Sequence, residues 1–215
     1  MAITSKSLHH SNVVIVFDET RFEPPDNKDF SSLYGGEDAR GLRFLEDPIL
    51  QTKILALPEA KLKVTLEGFR LRVDDDSDNE PKNSRIIKDV ISIKERLFQK
   101  IPIAGFGFNY DILYRFNNVM PIQEMFGKFF SGKILESREL RHMGIQFTLE
   151  SKKGEIADTW FFKIVSPLEL AVHLNRHFRR KELPGEKNLV ALFGDCYTND
   201  TDEVVNSFES NLSFE

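Results

Sequence analysis

An α+β fold, with an antiparallel or mixed sheet and helices packed on one face, is predicted by three patterns in the sequence. GFGFNYDILYRF, residues 105–116, alternates throughout, with Phe106, Phe108, Tyr110, Ile112, Tyr114 and Phe116 on one side. KLKVTLEGFRLRVD, residues 61–74, alternates twice around a Glu-Gly step, as a hairpin does. Helical periods run through Ile86, Val90, Ile93 and Leu97, and again through Ile122, Met125, Phe126, Phe129 and Phe130.

The elements follow in order. Val13 to Phe17 reads as the first strand, and a loop of about forty residues after it, with Pro24-Pro25 and SSLYGGEDARG, is long enough to be partly structured or functional. In the 61–74 hairpin, a turn at Glu67-Gly68 is expected to set Leu66 against Phe69, Val64 against Leu71 and Leu62 against Val73. Lys63 then opposes Arg72, an unfavourable like-charge pair. DDDSDNEPKN is a solvated connection into a helix from Ser84 to about Gln99, capped by Ser84 or Asn83 and stopped before Pro102. A strand over 104–116 spans about 43 Å at 3.3 Å per residue, so a bulge is expected at its glycines. VMPIQEMFGKFFSG reads as a second helix ended by Gly132.

Gly144 to Glu150 and Glu155 to Val165 form a further hairpin around SKKG. SPLELAVHLNRHFRRKELPG predicts a helix, because Ser166, Pro167 and Glu169 spell a capping box and Arg179, Arg180 and Lys181 suit a helix C-terminus. A short strand over Leu189 to Phe193 and a last helix, capped near Asp200 or Thr201 with Val204, Val205 and Phe208 inward, complete the chain. Ser84, Val90 and Pro102 match Ser166, Val172 and Pro184 at a constant offset of 82. One domain, 1–215, is expected, with an internal duplication of a ββαβα unit over halves 58–132 and 140–215.

Composition narrows the functional classes. Nineteen Phe against one Trp point to extensive burial, each ring contributing roughly 2–3 kcal/mol. Cys196 is the sole cysteine and has no internal bridging partner. The apolar run at 13–17 is too short for a membrane span, so a cytoplasmic chain with no membrane partner is expected. A net charge of -5 gives no general pull toward nucleic acid.

Four constellations bear on chemistry. His173 and His177 stand four apart on the expected helix, a spacing at which two imidazoles share a metal, with a third ligand to come from His142, Asp195 or Cys196. Glu169 is out of reach of the same ion, and Leu174 occupies the place of a metalloprotease glutamate. Asp74, Asp76 and Asp78 open like a calcium loop, but Asn79 and Arg85 depart from it. Cys196 as a nucleophile needs a depressed pKa. Lys61, Lys63, Arg70 and Arg72 form a basic hairpin face for RNA, DNA or an acidic protein segment, although without stacking aromatics. GFGFN lacks the last glycine of a dinucleotide loop, while Gly105 and Gly107 would let another layer, a partner or a ligand approach that side of the strand.

The expected role is a non-catalytic interaction, accessory or regulatory protein that binds another protein, with no cofactor. The alternatives are a metal-dependent hydrolase using His173 and His177, and a nucleic-acid module using the hairpin's basic face.

Overall fold

A computed structural model describes residues 3–35, 40–118 and 144–210, with side chains as far as 207. The helix expected over 119–132, His142 and the side chain of Phe208 lie outside them. The strands are β1 Ile3–Phe17, β2 Arg43–Asp47, β3 Thr52–Leu57, β4 Leu62–Glu67, β5 Arg70–Asp75, β6 Ile103–Phe116, β7 Gly144–Glu150, β8 Ile156–Ser166 and β9 Glu169–Phe178. The helices are α1 Asn27–Ser31, α2 Ile86–Leu97, α3 Glu186–Asp195 and α4 Thr201–Ser210, the last two joined by a π-helical turn over Cys196–Asp200. Among the described residues all nine strands form one antiparallel sheet, ordered β2-β3-β4-β5-β1-β6-β9-β8-β7.

β6 behaves as its alternation predicts, since its six rings and aliphatics from Phe106 to Phe116 are all buried. Phe106 stacks on Phe178 at 4.7 Å, and Phe108 meets Phe193 edge-on at 5.1 Å. The same face continues through Val13 and Ile15 of β1, Leu71 and Val73 of β5, and Leu170, Val172 and Leu174 of β9. Val90 and Ile93 of α2 and Leu189 and Phe193 of α3 are buried in that same core. The loop expected after β1 is partly structured, holding α1 and the β2–β3 hairpin.

Several local expectations are corrected. Residues 169–178 form a strand, not a helix, because Leu170, Val172, Leu174 and Phe178 alternate into the core. The capping-box contacts survive in a different use: Ser166 Oγ accepts from Leu168 N at 3.4 Å and donates to Glu169 Oε2 at 3.2 Å, closing the turn between β8 and β9. Residues 189–193 are helical, since Leu189 and Phe193 bury as an i, i+4 pair. Val90 and Val172 thus fall on a helix and a strand, and the element order that suggested a duplication does not recur.

The first hairpin turns at Gly68-Phe69, one residue later than expected, because Gly68 takes the positive φ of 53°. Leu66 pairs with Leu71, Val64 with Val73 and Lys63 with Asp74, so the like-charge opposition disappears. β6 does carry a bulge beside a glycine, as Val16 pairs with Gly105 and Phe17 with Ile103, leaving Ala104 extra. On β1, His9 is extra between Leu8 and His10.

What approaches the two glycines is the neighbouring strand. A Cβ on Gly107 would stand 2.7 Å from Arg176 O, and one on Gly105 would stand 2.7 Å from Phe178 O and 3.0 Å from the His177 ring. Gly107→Ala is therefore expected to destabilise by about 1–3 kcal/mol through forced backbone movement, and Phe106→Ala by about 3–5 kcal/mol through a core cavity. Urea denaturation checks both, and a neutral Gly107→Ala would contradict the close strand approach.

Candidate functional site

With the helices on one side, the opposite face of the sheet takes the alternate residues of every strand. One row runs Ala56, Lys63, Asp74, Asn12, Asn109, Asn175, Thr159 and Thr148 from β3 to β7. These groups satisfy one another laterally. Asn109 Nδ2 donates to Asn12 Oδ1 at 2.6 Å, Asn12 Nδ2 lies 3.1 Å from His10 Nε2, and the Thr148 and Thr159 hydroxyls are 3.1 Å apart.

Asp74 anchors the row and is only 2% exposed. Arg72 Nε reaches it at 3.1 Å, His10 Nε2 at 3.4 Å and Lys63 Nζ at 3.5 Å. Burial alone would push the Asp74 carboxyl up, but the His10 hydrogen bond and the Arg72 and Lys63 charges more than offset it and hold it low. His10 in turn is raised, chiefly by its hydrogen bond to Asp74, with burial opposing and Asp76 assisting at 2.6 Å. The acidic run that resembled a calcium loop is thus occupied by bases: Asp74 and Asp76 by these partners, Asp78 by Lys61 at 3.7 Å.

The adjacent row sets His10, Asp111, His173, Phe161 and Gln146 side by side. His173 Nδ1 and Asp111 Oδ1 are 2.7 Å apart, and that hydrogen bond holds the Asp111 carboxyl below its usual range despite partial burial. Next to this row lies a depression of about 210 Å³ lined by His9, Leu113, Phe161, Lys163, Ala171 and His173. Phe161 is 38% exposed, a large ring presented to solvent.

His173 and His177 share this face, but on a strand they are about 13 Å apart along the backbone at 3.3 Å per residue, with Asn175 between them. The helical spacing that would let them share an ion is absent. His173 is committed to Asp111, and the His177 ring lies over Gly105. Among the described residues no group of three or more His, Cys, Asp or Glu is placed to hold a metal. His177 is depressed below its ordinary pKa, mainly by burial and then by the Arg179 and Arg70 charges.

Cys196 faces the helix-covered side and is buried with Arg176, which also holds Asp158 at 2.6 Å and Asp200. Burial pushes its thiol up to about 12 even against the Arg176 charge, the opposite of an activated nucleophile. Of the basic hairpin residues, Lys61, Lys63 and Arg72 have acidic partners, and Arg70 forms no ion pair among the described residues. Thr65, His10, Asn12, Asn109 and Asp111 were not singled out by sequence. Their grouping depends on the corrected hairpin register and on the His9 bulge, neither of which alternation alone reveals.

Two roomier clefts, of about 580 and 590 Å³, are lined by mixed charged and apolar side chains around the end of α2 and beside the β2–β3 turn. No described helix is long and apolar enough to cross a membrane. No protein-family model matches the chain, and a search of curated proteins found no match.

The His10–Asp74 contact sets a pH dependence. With His10 raised above 6.5, the folded chain binds more protons than the unfolded one between that value and the raised one. The stabilisation from this pair is full below that window and is lost as pH rises through it. The difference in urea midpoint between wild type and His10→Gln is expected to shrink from about pH 6 to about pH 9. A difference that is flat or grows across that range would contradict the assignment.

Proposed function

We propose that this chain is a non-catalytic interaction protein that receives another protein across the sheet face that no described helix covers, the uncovered face. The observation that carries this reading is the arrangement of that face. Its central polar groups are spent on one another, so they give it rigidity, while exposed Phe161, Lys163 without a partner among the described residues, and the adjoining depression remain available at one end.

A depression of that size suits one apolar side chain of a partner, and Lys163 suits an acid beside it. Interface energy concentrates where an aromatic ring is desolvated next to a pocket, and Phe161 is the residue on this face that meets the condition. Leu45, which is exposed on edge strand β2 of the same face, extends the apolar surface at the other side of the sheet.

Phe161→Asp removes the ring's apolar area and places a like charge against an acidic partner without touching the core. It is expected to abolish capture of a partner that copurifies with the wild type from the native source, with thermal stability changed by less than about 1 kcal/mol. Lys163→Glu is expected to weaken the same capture more mildly. Equal capture by wild type and Phe161→Asp would remove this reading.

A further inference from the structure

The β4–β5–β1 end of the uncovered face, separated from Phe161 of β8 by β6 and β9, carries a second and chemically different feature. Thr65 of β4 stands directly opposite Arg72 of β5, which pairs with Val14 of β1. Arg70 lies two residues along β5 on the same side, opposite Glu67. Together Val14, Thr65, Glu67, Arg70 and Arg72 line a depression of about 90 Å³, enough for a carboxylate or a few waters.

Two independent observations mark it as a binding site. Thr65 is 5% exposed and its Oγ1 has no hydrogen-bond partner among the described residues, although a buried hydroxyl left unpaired costs roughly 1–3 kcal/mol. A ligand that accepts its proton removes that cost. Two guanidinium groups also border the cavity with spare donors: Arg70 has no ion-pair or hydrogen-bond partner among the described residues, and Arg72 spends its Nε on Asp74 at 3.1 Å. Exposed Glu67 supplies the one negative charge on the rim and disfavours a doubly charged anion over a singly charged one.

We propose that the Thr65–Arg70–Arg72 depression is a carboxylate-binding subsite, filled by an acidic side chain of the protein that docks on the uncovered face. The Thr65 hydroxyl donates one hydrogen bond to a carboxylate oxygen, and the two guanidinium groups supply charge-assisted bonds. The identity of the occupant as a partner's side chain rests on the proposed interaction role, whereas the chemistry of the subsite does not.

Sodium acetate is the probe, titrated at constant ionic strength into the isolated full-length chain while the Nε–H signals of Arg70 and Arg72 and the amide of Thr65 are followed by NMR. Saturable shifts at these three positions are expected. Arg70→Gln is expected to weaken acetate binding by about ten-fold and Thr65→Val by about three-fold. Thr65→Val is also expected to leave folding stability unchanged or raised, because no internal bond is lost, so a folding defect is distinguishable from a binding one. Absence of saturation, a midpoint unaffected by both substitutions, or tighter binding of inorganic phosphate than of acetate would each overturn the assignment. Loss of partner capture in Phe161→Asp is a separate measurement: acetate binding with no Phe161-dependent capture leaves the subsite and removes the docking role, and the reverse result does the opposite.

Discussion

The two sides of β6 impose the constraint on which the remaining structure depends. One side is entirely large and apolar, from Phe106 to Phe116, and the other carries Gly105, Gly107, Asn109 and Asp111. Rings of this size demand a covering layer, and α2 and α3 supply it. The opposite side has no room at its centre for large side chains, because β9 carbonyls press against the two glycines. Helices on one side and a low, polar floor on the other both follow from that single alternation.

A polar floor must still be satisfied. With no second layer among the described residues to donate or accept, the groups pair laterally across strands, and Asp74, Asn12 and Asn109 are buried. Asp74 draws in three bases from three strands, so register errors on β1, β4 or β5 would each strand a buried charge. The apolar core drives collapse, and the lateral polar row selects one register from those that collapse would tolerate. What is left over after this pairing, Arg70, Thr65 and Lys163, is the part of the face free to meet another molecule.

Much of the architecture was legible from sequence because it rests on long, regular alternation. β6, β7, β8 and α2 sit within a few residues of their expected bounds. β9 was not, and its failure is instructive. Ser166, Pro167 and Glu169 have the local chemistry of a helix start, but the same hydrogen bonds close a two-residue turn, and burial of Leu170, Val172 and Leu174 against β6 outweighed the signal. The two histidines then moved from one helix face to separate positions along a strand, and the metal idea lost its geometry. Residues 189–193 erred the other way, since a short apolar run fits a buried helix as well as a strand. The uncovered face was the least legible part, because a shift of one residue in the hairpin turn and a single extra residue at His9 decide which side chains become neighbours.

The position of β1 has a consequence for how the chain is made. This earliest strand lies in the middle of the sheet, clasped by β5 on one side and β6 on the other, and its Lys6 reaches Asp202 across 196 positions. On the ribosome it therefore emerges with both edges open; one can close once residues through Asp75 have followed, and the other waits for residues through Phe116. Topologies with such distant pairings assemble slowly and present unpaired backbone while they wait. Until then the nascent protein holds a β-edge that the finished sheet conceals, and that interval is when a chaperone would be of most use to it.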